Sequence, residues 1–128
     1  MKAVEIAFTV YPVADLKRAR EFYEGILGLK PGMVYEGNGM AWVEYEVGPG
    51  VLALGFGAKQ FKPSADGGSV ALEMENFEQA IRELKERGCR FVFEPVETPV
   101  CHMAAVFDSE GNTIIIHKRK AAGSGATT

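Results

Sequence analysis

The sequence predicts an α+β fold of two βαβββ modules, forming a curved mixed sheet cup with the helices on its convex face. Three observations predict it. A β-branched, apolar segment near the start leads into a capped amphipathic helix and then into short strands. The same order begins again near residue 69. The two helix caps, Asp15 and Asn76, lie 76 − 15 = 61 positions apart, and the pairs Leu16/Phe77 and Ala19/Ala80 keep that offset. Half a chain of roughly 60 residues buries too little surface to be secure alone. The two halves are therefore expected to pair into one larger sheet.

Taken in order, residues 4–10 (VEIAFTV) read as the first strand, ended by Tyr11-Pro12. Asp15 is a helix N-cap, and Leu16, Ala19, Phe22, Tyr23 and Ile26 follow at helical spacing, with Gly28 closing the helix. Short strands are expected near 30–35, 40–47 and 51–56, the last two joined at Gly48-Pro49-Gly50. Residues 57–68 are polar and turn-rich, a linker between modules at about 1–57 and 68–120 of a single domain spanning 1–120. The second module opens with a strand at 69–74. Asn76 then caps a helix carrying Phe77, Ala80, Ile81 and Leu84 on one face, and Gly88 ends it. Strands at 90–94, 101–107 and 113–118 complete the module, the last two turning at residues 108–112. Residues 121–128 (AAGSGATT) are small and polar and are expected to form a flexible tail.

The bulk numbers exclude several classes. With 128 residues, 47% of them hydrophobic, the chain can bury a core without a disulfide framework. A net charge of −3 does not suit nucleic acid or an anionic membrane surface. No apolar run approaches the roughly 18 residues of a membrane span, and the N-terminus lacks the layout of a signal peptide. A cytoplasmic protein is expected. Cys89 and Cys101 do not form a CxxC motif and read as small apolar residues. There is no Gly-rich phosphate loop and no G-x-S-x-G elbow.

Strand alternation assigns faces. Leu52, Leu54, Val43, Tyr45, Val70, Leu72, Ile114 and Ile116 suit the helix side. That leaves Trp42, Glu44, Ala53, Ser69, Glu73, Ile115 and His117 for the cup. Such a surface suits a small organic molecule with an apolar body and a polar or cationic group. His102 and His117 are expected to be neighbours across the last two strands.

Three segments carry a family likeness: FTVYPVADLKRAREFYEGILGLKPG, VALEMENFEQAIRELKERG and AVFDSEGNTIIIH. In this order they resemble the vicinal-oxygen-chelate superfamily, the fold group of glyoxalase I, extradiol dioxygenases and bleomycin-resistance proteins. Ser109 stands where proline is usual in the closing turn. The resemblance implies four metal-ligand positions in metal-dependent members. Here they are occupied by Phe8, Ala53, Ser69 and Ile115, none of which is a useful ligand. The expectation is a binding protein that uses no metal or other cofactor and takes a small organic molecule as partner. The resemblance further implies a homodimer, and because an open cup leaves sheet edges and apolar surface in water, the second copy is expected to help close it and to cover Met40 and Trp42. Two alternatives stay open. One is a glyoxalase-type lyase or isomerase, using a cup carboxylate or a displaced metal site made of Glu44, Glu73, His102 and His117. The other is an interaction domain without a small ligand. Catalytic residues are not assigned.

Overall fold

The computed structural model describes residues 1–121. The chain divides into two compact units, Met1–Ser64 and Ala65–Thr128. The expected tail falls almost wholly outside the described residues.

The first unit runs β1 (Thr9–Val13), α1 (Leu16–Arg20) continued by a π-helical stretch (Glu21–Ile26), then β2 (Pro31–Gly37), β3 (Met40–Val47) and β4 (Gly50–Phe56). Its four strands are ordered β1-β4-β3-β2, with β1 parallel to β4 and the other pairs antiparallel. The second unit repeats the plan: β5 (Val70–Glu73), α2 (Phe77–Glu86), β6 (Phe91–Glu97), β7 (Cys101–Phe107) and β8 (Thr113–Arg119), ordered β5-β8-β7-β6. The repeat extends to register. Val10 stands opposite Ala53 in the first unit, as Ala71 stands opposite Ile115 in the second.

The two-module reading therefore holds, as do both helix caps. The Asp15 carboxylate accepts from Arg18 N at 3.0 Å and the Asn76 amide oxygen from Gln79 N at 3.0 Å. Gly28 and Gly88, with φ of 72° and 75°, supply the left-handed residue after each helix.

Three expectations need correction. The strands hydrogen-bond into two four-stranded sheets rather than one continuous sheet. Pairing across a module boundary needs an unsatisfied strand edge in register, which hydrophobic patterning does not encode.

The first strand is Thr9–Val13, not residues 4–10, and Pro12 lies inside it. β1 is an edge strand of its sheet, where a proline without an N–H is tolerated. Tyr11 and Val13 are buried, while Val4 and Ile6 are 81% and 84% exposed.

The first helix changes winding after Arg20. Leu27 N donates to Phe22 O, five residues back, at 3.0 Å. Gly25 weakens the α-helical preference there, and Glu24 is tied to β3 by the hydroxyl of Tyr45, which donates to Oε2 at 2.9 Å.

In each unit one sheet face is sealed by the helix. Tyr23 stacks on Tyr45 with ring centroids 6.2 Å apart, above the buried Val43, Leu52 and Leu54. In the second unit Leu84 of α2 is buried, as are Leu72, Ala104, Val106, Ile114 and Ile116 on the helix side of the sheet. The turn before β8 is held by Asp108, whose Oδ1 accepts from Glu110 N and Asn112 N at 2.7 and 2.9 Å. Cys101 is a buried free thiol and Cys89 a half-buried one, as a small-apolar reading expects.

Candidate functional site: two sheet faces turned away from the helices

Cross-strand partners share a face, so the register builds the candidate site strand by strand. In the first unit Glu44 pairs with Ala53, Trp42 with Gly55, and Val10 with Ala53. The Trp42 indole lies down on this face. Its Cε3 and Cζ3 pass 3.6 and 3.5 Å from where a Cβ on Gly55 would sit, so the ring lies over that glycine with room for no more than a methyl group beneath it. The indole N–H donates to Glu44 Oε2 at 2.8 Å. Phe8 meets the ring edge-to-face, with centroids 5.1 Å apart and planes at 86°. Trp42, Glu44 and Ala53 are thus brought to one face, as strand parity predicts, and Phe8, which the resemblance places with Ala53, packs against Trp42 there. Ala53 is fully buried, while Phe8 is 44% exposed.

Met33 and Tyr35 of β2 pair with Glu44 and Trp42 and so share this face, both exposed. The sequence reading did not single them out. The consecutive apolar residues Met33, Val34 and Tyr35 hide which face is which, and only the pairing with β3 separates them.

In the second unit Ala71 pairs with Ile115 and Glu73 with His117. Ser69 lies just ahead of β5, and its hydroxyl is hydrogen-bonded to that of Thr113. Glu73 Oε1 lies 2.6 Å from His117 Nδ1, and its Oε2 accepts the Arg119 N–H at 2.7 Å. Burial alone would raise the Glu73 carboxyl, but the Arg119 N–H and His117 outweigh it and hold the group below its ordinary value. Ser69, Glu73, Ile115 and His117 therefore gather on one face. Met103 and Ala105, the β7 partners of His117 and Ile115, join them.

His102 does not. It pairs with Lys118, and its ring packs at 5.8 Å on Phe77 of α2, on the helix side of the sheet. The two histidines are one register step apart and face opposite ways. The expectation that they neighbour each other is corrected, and the displaced set Glu44, Glu73, His102 and His117 cannot converge on one ion. Among the described residues no three of His, Cys, Asp or Glu are grouped to hold a metal.

The four positions at which the resemblance places metal ligands do not fit one either. Phe8 is spent on Trp42, Ala53 and Ile115 carry only hydrocarbon, and the Ser69 hydroxyl is engaged by Thr113.

A cleft of about 480 Å³ opens elsewhere in the first unit, between α1 with its π-helical extension and Glu36 of β2. Leu16, Arg20, Glu24 and Glu36 line it. It shares no residue with the Trp42 face. No helix among the described residues is long and apolar enough to cross a membrane.

Comparison with known proteins places these features in context. A family model described as the Glyoxalase/Bleomycin resistance protein/Dioxygenase superfamily matches residues 5–116. No curated protein matches the chain. Among solved structures, UcmS2 is similar with a TM-score of 0.76 and 23% identity, over 91% of this chain and 98% of that one. TnmS3, an antibiotic binding protein from Streptomyces sp. CB03234, gives 0.75 and 20% over 94% and 99%. The trypanothione-dependent glyoxalase I of Leishmania major gives 0.74 and 22% over 91% and 87%. At these identities the structural likeness speaks for the fold.

Proposed function

The chain belongs to the Glyoxalase/Bleomycin resistance protein/Dioxygenase superfamily, and on that premise we propose that it binds a small organic molecule without a metal. The observation that carries this reading is the replacement of the expected ligand set by Phe8, Ala53, Ser69 and Ile115. Where metal-dependent relatives would polarise a substrate, this chain offers hydrocarbon and a hydroxyl already engaged. The exposed Phe8, Met33 and Tyr35 beside Trp42 support the same reading, because an apolar surface with a few placed polar groups is what small-molecule sites look like. TnmS3, similar in fold and an antibiotic binding protein, is a precedent for binding.

The test is elemental analysis of protein purified without chelator, alongside a thermal-shift screen of small molecules. Expected are no stoichiometric metal and a raised Tm with at least one compound; saturation at a hundredfold excess over Kd stabilises by about 2.7 kcal/mol. One equivalent of a divalent metal bound by the folded protein overturns the reading. We further propose a homodimer whose second copy helps close the cup and covers Trp42 and Met40, the latter 50% exposed. Light scattering at micromolar concentration should then give twice the 13.9 kDa chain mass.

The Glu73–His117 pair favours a second reading, a lyase or isomerase of glyoxalase type. In the neutral tautomer that donates Nδ1–H to the carboxylate, Nε2 is the nitrogen that can accept a proton. Loss of turnover in His117→Gln with ligand binding intact would support it.

A further inference from the structure

We propose that the Phe8–Trp42–Glu44 cluster recognises a protonated amine carried on an apolar, preferably aromatic, body. This rests on the small-molecule reading above and names the ligand class.

The cluster is built before any ligand arrives. Trp42 is bedded on Gly55, pinned through its N–H to Glu44 Oε2 at 2.8 Å and buttressed by the Phe8 ring. Among the described residues the other carboxylate oxygen, Glu44 Oε1, has no partner. A carboxylate can only accept, so the group that completes it must be a donor. The donor's charge follows from the surroundings. Glu46 stands two residues from Glu44 on the same face, opposite Val51. The other residues that β1, β3 and β4 place on this face are Val10, Pro12, Met40, Trp42, Val51, Ala53 and Gly55. None is a lysine or arginine, so two carboxylates share the face with no strand cation to neutralise them. A cation held at Glu44 beside these two rings is attracted further wherever it reaches a ring face. An anionic head group meets repulsion here, and a neutral hydroxyl gains only one ordinary hydrogen bond.

Trp42 is the one tryptophan of the chain, so intrinsic fluorescence reports this site alone. The experiment titrates the protein with benzylamine, benzyl alcohol and benzoate, which share a body and differ in head group. Benzylamine is expected to change Trp42 emission saturably and to bind at least about tenfold more tightly than either analogue. Glu44→Gln keeps an acceptor for the indole N–H and removes the charge; it should cut benzylamine affinity about tenfold and erase the preference over benzyl alcohol. Glu36→Gln, on the opposite face of the sheet, should change neither. Unfolding midpoints of both variants confirm that they fold. Equal binding of all three compounds, or an undiminished amine preference in Glu44→Gln, overturns the amine assignment while leaving small-molecule binding standing. Silence from all three also overturns it, and silence in the wider thermal-shift screen as well removes the binding reading with it.

Discussion

Glu73 and His117 stand opposite each other on the parallel strands β5 and β8, and the carboxylate bridges the imidazole Nδ1 at 2.6 Å and the Arg119 backbone N–H at 2.7 Å. Both of its oxygens are used, so the carboxylate fixes the ring as well as the end of β8. Strand pairing thus turns two residues 44 positions apart in sequence into one rigid unit.

That unit predicts a pH dependence. The folded-state pKa of Glu73 is depressed, so its stabilising contribution is complete above the unfolded value of about 4.3 and is lost as pH falls through the folded one. The Glu73 side chain is 38% exposed, so solvent screening keeps the contribution to about 0.5–1 kcal/mol. Urea unfolding of the protein and of Glu73→Gln should show a gap of that size near neutrality that closes as pH falls below the unfolded value and through the depressed folded one. A gap that is unchanged at low pH refutes the assignment.

Tyr45 predicts the opposite limb. Burial first, and the bond to Glu24 second, push its phenol well above the ordinary range. A group raised on folding stabilises fully below its unfolded pKa, about 10, and loses that stabilisation as pH rises beyond it. Tyr45→Phe should cost about 1–2 kcal/mol at neutral pH by leaving Glu24 to Arg20 alone. It should also flatten the decline in stability above about pH 10. Denaturant midpoints at pH 7 and above pH 10 measure both effects.

Two glycines in or just after β4 should behave differently. A Cβ on Gly57 would lie 2.4 Å from the carbonyl oxygen of Gly39, and its φ of 101° disfavours any other residue. Gly57→Ala should therefore destabilise by about 2 kcal/mol or more. At Gly55 the added carbon meets Trp42 and Val10 at ordinary contact distance. Gly55→Ala should stay within about 1 kcal/mol of the parent. Thermal unfolding of the two variants side by side is the check; equal losses would contradict the packing described.

The helix caps allow a comparison between the modules. Asn76→Ala and Asp15→Ala each remove one acceptor from a helix start, and each should cost about 1 kcal/mol in chemical unfolding. A negligible cost at either would mean that helix is held by packing alone.

Much of this was legible in the chain. Caps, terminating glycines and apolar spacing are local signals, and the repeat doubled each of them. Asp15 and Asn76 could be named before any coordinates because a cap needs only its own side chain and the next three residues. Parity likewise separated Trp42, Glu44, Ala53, Ser69, Glu73, Ile115 and His117 from the helix side of their strands, because β3, β4, β5 and β8 run without bulges; that they lie on two sheets and not one came from the strand pairing. In β2 the apolar residues Met33, Val34 and Tyr35 run consecutively, so alternation marks no face there, and Tyr35 went unseen beside Trp42.

By itself the sequence determined the two βαβββ modules, their helix boundaries, and the lack of ligand atoms at Phe8, Ala53, Ser69 and Ile115, since these depend on residue identity and short-range spacing. Only the tertiary structure decided which segment of residues 4–13 pairs with β4, that His102 turns to α2 while His117 turns to Glu73, and that the free oxygen of Glu44 lies beside a pinned indole. Each of those depends on strand register. Register is set by partners dozens of residues away, and a shift of one residue reverses every side chain on the strand.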